Sequence, residues 1–242
     1  MIIAKASEIL KTIDPIIGVV GKGADVTFCL SPSSIDVSVT DEGHIAMCIM
    51  SVDTDMGIRL GSIDHYTVSE NKSVTLNIDL LTSALKFFGY DSVDISEADD
   101  RVVIQNKNGK RTLRTISRNM SGKARSMSFD VLIPICSADL RRCSKLDDIG
   151  DSMCFEVTPG QLSIGASSDL ESAHVYVEAD VCLECRSFYP SDVVAAIVKR
   201  IHLTDDDGNV TIGLSKNAPM SMDFTVSCAH YAILIAPRIE AD

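Results

Sequence analysis

A chain of 242 residues, 45% of them apolar, can bury one large core or two smaller ones. Its 34 acidic against 22 basic residues leave a net charge of −12. That excludes non-specific polyanion binding over the whole surface and allows it only where cations gather on one face.

No run approaches the roughly 20 apolar residues of a membrane span. The start MIIAKASEIL has no long apolar run or cleavage site, so no signal peptide is expected. Eight cysteines scattered without a framework fit a reducing cytosol.

In chain order, Glu8–Val20 predicts the first helix. Ile9, Leu10, Ile13, Ile17 and Val20 form its stripe, and Pro15 is expected to kink or break it. Alternating strands follow at Val26–Leu30 and Ile35–Val39, joined by a Ser-Pro-Ser-Ser turn. His44–Val52 and Gly57–Ser69 read as further strands. Asp79–Phe88 predicts the second helix, ended by Gly89, with strands at Val93–Ser96 and Arg101–Gln105 behind it. The stretch Cys136–Gly150, CSADLRRCSKLDDIG, predicts a third helix capped by Ser137 and stopped at Gly150. Leu140, Cys143 and Leu146 share one side of it, and Arg141, Arg142 and Lys145 share another. Asp192–His202 predicts the fourth helix, followed by a turn at Asp205–Gly208 and strands at Val210–Leu214 and Met220–Val226.

The second and fourth helices align without a gap. Leu80, Leu81, Ala84, Leu85 and Phe88 match Val193, Val194, Ile197, Val198 and Ile201, and Lys86 matches Lys199. The segments around Leu30-Ser31-Pro32 and Val157-Thr158-Pro159 match as well. The expected fold is α+β: two similar domains in tandem, residues 1–118 and 129–242, joined by the polar loop 119–128. Each domain packs two helices on antiparallel sheet. With their stripes on the sheets, the helices turn Lys11, Lys86, Arg141, Arg142, Lys145, Lys199 and Arg200 outward. Such cations on an acidic chain suit a polyanion held without base reading. Ordinary solvated helix faces are the alternative, and the repeated lysine position leaves both readings open.

Catalytic and metal motifs are missing. Cys182-Leu183-Glu184-Cys185 stands without a second ligand pair. There is no phosphate loop and no framed nucleophile. No cofactor or metal is implied.

Asn217–Phe224 (NAPMSMDF) and Tyr231–Glu240 (YAILIAPRIE) resemble the end of the PCNA family of DNA sliding clamps. Ile35–Ile45, Leu146–Gly150 and Arg101–Thr115 resemble other family segments, and the ending looks archaeal. The resemblance implies a ring of three subunits, helices lining the hole and sheets forming the outer wall. It implies a non-enzymatic processivity factor for duplex DNA, opened by a clamp loader. Polymerase, flap endonuclease and ligase would dock on it through short peptides. A subunit of a hetero-oligomeric or checkpoint-type ring is the alternative. An archaeal member would be cytoplasmic and a eukaryotic one nuclear.

By position, the resemblance implies a hole lined by Lys11, Lys22, Lys86, Arg141, Arg142, Lys145, Lys199 and Arg200. It implies a peptide pocket drawing on Thr40, His44, Ile45, Met120, Pro219, Leu234, Ala236, Pro237 and Ile239. Of Leu234 and Ile235, one is expected in the core. Subunit contacts would join Arg111 and Arg114 to a strand carrying Glu171, Val175, Val177 and Glu178. The connector is shorter and more basic than the family's, and Thr40 replaces a larger apolar residue of eukaryotic members.

Overall fold

The computed structural model describes residues 1–117, 127–201 and 209–238. The chain divides into two compact units. One comprises Met1–Val39, Ile49–Ala124 and Thr225–His230, the other Thr40–Cys48, Arg125–Phe224 and Tyr231–Asp242. The predicted connector 119–128 falls almost wholly outside the described residues, as do His202 and the turn at Asp205–Gly208.

The first half of the chain begins β1 (Ile2–Lys5), α1 (Ala6–Val20), β2 (Asp25–Leu30), β3 (Ser34–Thr40) and β4 (Ala46–Asp53). It continues with α2 (Thr54–Leu60), β5 (His65–Tyr66), β6 (Lys72–Asn77) and α3 (Ile78–Phe88). It ends with β7 (Ser92–Ala98), β8 (Arg101–Asn106) and β9 (Gly109–Arg114). The second half opens on β10 (Val131–Cys136), α4 (Ser137–Cys143) and a 3-10 turn at Leu146–Asp148. Then come β11 (Ser152–Thr158), β12 (Gln161–Ser167), β13 (Ser172–Glu178), β14 (Cys185–Pro190) and α5 (Ser191–Val198). It closes with β15 (Asn209–Leu214), β16 (Met220–Val226) and β17 (Ala229–Ile235).

The strand orders repeat. In the first half β1-β7-β8-β9 are neighbours, with β5 added beyond β1, and β4-β3-β2-β6 form the second array. In the second half the counterparts are β10-β15-β16-β17 and β13-β12-β11-β14. The pairings whose register is resolved among the described residues are antiparallel, for example Ile133 opposite Ile212 and Val26 opposite Leu76. The tandem repeat read from sequence is thus present as topology.

The burial of the matched helices agrees at four of the five matched positions. Leu81, Ala84, Leu85 and Phe88 are buried in α3. Val194, Ile197, Val198 and Ile201 are buried at or just beyond α5. Fully burying a side chain such as Leu85 contributes about 1.5–3 kcal/mol. The fully buried core also includes Ile16, Ile78 and Ile104 in the first unit, and Phe155 edge-on to Tyr189 at 5.5 Å in the second.

Several expectations change. Leu80, assigned to the stripe, is 56% exposed. It sits at the outer margin of an apolar arc whose centre is Leu81 and Leu85. In α1 only Ile13 and Ile17 of the predicted stripe are buried, and Ile9, Leu10 and Val20 are partly exposed. Pro15 does not break the helix, which runs through it with the ring buried. The lost N–H removes one hydrogen bond, and packing of the buried ring offsets that loss.

Gly57–Ser69 is not a strand. Asp53 caps α2 there, its carboxylate accepting from the Met56 N–H at 2.9 Å, and only β5 is extended. A Cβ on Gly57 would press on Ile63 and Cys228, so a glycine inside this helix is a packing requirement. The third helix stops at Cys143 rather than Gly150. Its N-cap is Cys136, and no side chain caps it. Gly150 lies against the backbone of Ser167, where any Cβ would collide. α5 ends at Val198 because its continuation tightens: Arg200 and Ile201 donate to carbonyls only three residues back, Ile197 and Val198.

Candidate nucleic-acid and peptide interfaces

In the first unit α1 packs against α3, and in the second α4 packs against α5. Each pair sets its apolar arcs inward, which leaves polar positions to solvent. Lys11, Lys22 and Lys86 are exposed in the first unit; Arg141, Arg142, Lys145 and Lys199 are exposed in the second. Arg200 is partly buried, and Lys145 lies beyond the end of α4.

These cations are not equally available. Lys11 pairs with Glu8 at 3.0 Å along α1, and Arg142 with Asp139 at 2.9 Å along α4. Lys199 Nζ lies 2.7 Å from the carboxylate of Asp147, in the 3-10 turn after α4. The other oxygen of Asp147 is buried without a protein partner, so Lys199 is its counter-charge. Among the described residues no carboxylate is within ion-pair distance of Lys22, Lys86 or Lys145. Nothing in the sequence announced Asp147, because its partner is brought to it only by the packing of α5 on the turn.

The second unit also holds the segments expected to form a peptide pocket. A turn runs from Asp41 to Ala46. Asp41 accepts from the N–H of Gly43 at 3.1 Å and of Ala46 at 2.7 Å, and its backbone pairs with Ala46. That network holds His44 in the left-handed region at φ 55, with its side chain exposed. Ile45 stands 37% exposed, and its carbonyl accepts from Ala236 N–H at 2.7 Å. The chain end after β17 is therefore tied to the turn.

Leu234 is partly exposed on β17 and Ile235 fully buried, the alternation of a strand with one face in the core. Pro219, Ala236 and Pro237 are partly exposed, and Thr40 is exposed. Met120 and Ile239 lie outside the described residues. Asp41 was missed by sequence reasoning, although an acidic residue opening a Glu-Gly turn is a recognisable signal.

The segments expected at a subunit joint lie on sheet edges. β9 ends the order β5-β1-β7-β8-β9, and β13 ends β13-β12-β11-β14. Arg111 lies over the Phe87 ring at 5.7 Å, and Arg114 is 3.5 Å from Asp100. Glu171 and Glu178 are exposed. Val177 is buried and Val175 partly so, because alternate residues of β13 turn inward. The outward row is His174, Tyr176 and Glu178, the first two stacked at 5.9 Å.

Superposition on solved structures follows this arrangement over the whole chain. The A. fulgidus PCNA determined with the C-terminal region of FEN-1 bound matches with a TM-score of 0.85 at 19% identity, covering 100% of both chains. The chain has the sliding-clamp fold. Entamoeba histolytica PCNA shares this clamp fold with a TM-score of 0.82 at 18% identity, covering 98% of this chain and 99% of that one. PCNA from Thermococcus kodakaraensis gives 0.81 at 16%, covering 98% and 100%.

A curated relative, the DNA polymerase sliding clamp of Picrophilus torridus, is 20% identical over 186 residues, covering 73% of this chain and 74% of the relative. No protein-family profile matches the chain. Similarity at such low identity shows the fold alone. The sites therefore have to be argued from this chain's own residues.

Proposed function

We propose that this protein is a DNA sliding clamp, a non-catalytic ring that encircles duplex DNA and tethers replication and repair enzymes to it. One observation carries the reading. A chain of net charge −12 builds the same topology twice, and each copy presents a helix pair whose outer positions carry lysine or arginine. Contacts of this kind neutralise phosphates without reading bases, and the weak, salt-screened hold they give permits sliding.

The ring is a homotrimer closed head to tail, the basic edge β9 of one copy meeting the acidic edge β13 of the next. Open edges of complementary charge favour that heterologous contact over pairing of like edges. A clamp loader opens the ring. Polymerase, flap endonuclease and ligase insert an apolar helical turn between His44, Ile45 and the strand end at Leu234–Pro237, where partly exposed apolar groups come together. In an archaeal cell its place is the cytoplasm, on the nucleoid.

The decisive experiment is topological. The protein is loaded onto nicked circular DNA with a loader and polymerase, and the circle is then cut. A ring stays on the circle through gel filtration at high salt and is lost from the linear product. Retention on linear DNA with free ends, or loss from the intact circle, would refute encirclement.

A further inference from the structure

The first unit contains an apolar cavity of about 160 Å³ beneath α1 and α3. Ile13 and Leu81 come down from the helices, Leu30 and Leu76 from one strand array, and Ile95 and Val102 from the other. We propose that this cavity is a binding site for a small neutral apolar molecule the size of a benzene ring.

Size and lining support the first half of the statement. The pocket is half open to solvent, and its apolar wall there lacks the dispersion contacts that a bound apolar molecule would supply. An apolar space near 150 Å³ is the size that accepts benzene, and the open side of this one gives such a molecule a way in.

The polar groups that reach the cavity support the second half. Lys72 and Glu97 line its solvent end and pair with each other at 2.6 Å, bridging β6 to β7. Glu8 is engaged by Lys11. Ser62 Oγ donates to the Gly57 carbonyl at 3.2 Å and lies 3.3 Å from Cys228 Sγ. With the mouth lysine already neutralised, a carboxylate ligand would have to break an ion pair to enter, and a neutral one would not.

Occupancy would fasten α1 to the strands below it. This is independent of ring formation and of DNA.

The test titrates the full-length protein with benzene and with hexanoate, following methyl and amide resonances. Benzene is expected to give saturable shifts at Ile13, Leu81 and Ile95 and several-fold slower hydrogen exchange in α1. Hexanoate should bind at least tenfold more weakly. Ala4 lines the cavity from β1 and is buried, so Ala4→Leu fills the space and should weaken benzene binding at least tenfold. No saturable shift with benzene, or hexanoate binding as tight as benzene, overturns the proposal. Both readouts use the wild-type chain, so they decide even if Ala4→Leu does not fold.

Discussion

Lys86 and Lys199 occupy matched positions in α3 and α5, yet they hold their charge differently. Lys86 extends from α3 into solvent, whereas Lys199 neutralises the partly buried carboxylate of Asp147. Lys86→Glu should leave stability within about 0.5 kcal/mol of wild type, the usual range for surface changes. Lys199→Glu would face Asp147 with a like charge and lower the unfolding midpoint, so Lys199→Gln is the cleaner probe. Combined with Lys86→Glu it should reduce retention on closed circular DNA several-fold and flatten the salt dependence of loading. Unchanged retention with an unchanged salt slope would remove these two residues from the DNA path.

A second residue-scale prediction concerns pH. Burial pushes the thiols of Cys48 and Cys143 up from 9.0 to about 12, with Asp139 adding to the effect at Cys143. Both stay protonated in the folded chain where the unfolded chain ionises. Their contribution to stability is therefore complete below pH 9 and is lost as pH rises toward about 12. Each thiol should steepen the alkaline fall by about 1.4 kcal/mol per pH unit. Cys48→Ala should flatten that limb in urea titrations between pH 9 and 11; an identical slope would contradict it.

Among the elements, α3 shows how local chemistry positions a functional face. Asn77 accepts from Leu80 N–H at 3.2 Å to cap the helix, and donates to the Gly23 carbonyl at 2.9 Å. Asp79 reaches the same loop, accepting from Gly23 N–H at 2.9 Å. These bonds fix where α3 starts, and so which way Lys86 points about two and a half turns later. Asn77→Ala should cost about 1–2 kcal/mol by chemical denaturation, the range for loss of a good cap. A loss below a few tenths would mean that the loop bonds and cap are replaced by water.

Turns behave the same way. Pro159-Gly160 closes β11 onto β12 with Gly160 at φ 83, the geometry of a type II turn. The pattern of proline then glycine is visible in sequence. The seven-residue α2 was not visible, because Met56, Ile58 and Leu60 alternate as a strand would. Two things decide for the helix: the Asp53 cap, and the close fit of Gly57 on Ile63. All three apolar residues are in fact exposed.

At the scale of the whole molecule, the proposed ring depends on edges. Arg111→Glu with Arg114→Glu would set an acidic β9 against Glu171 and Glu178 of the next copy. Sedimentation is expected to give trimers for the wild type and monomers for this variant. An intact trimer would move the joint elsewhere. Because Arg111 also covers Phe87, the double variant needs a folding control by circular dichroism.

Sequence alone determined the tandem repeat, the apolar arcs of the helices and the outward cations, while His44, read as the start of a strand, stands in a left-handed turn before β4 begins at Ala46. The first three follow from residue order, through the 3.6 and 2.0 periods. Only the tertiary structure decided that Asp147 neutralises Lys199, that Val177 turns inward, that Gly150 serves packing and that a cavity opens beneath α1. Those outcomes depend on which distant surfaces meet, and contacts between residues far apart in the chain leave no periodic trace along it.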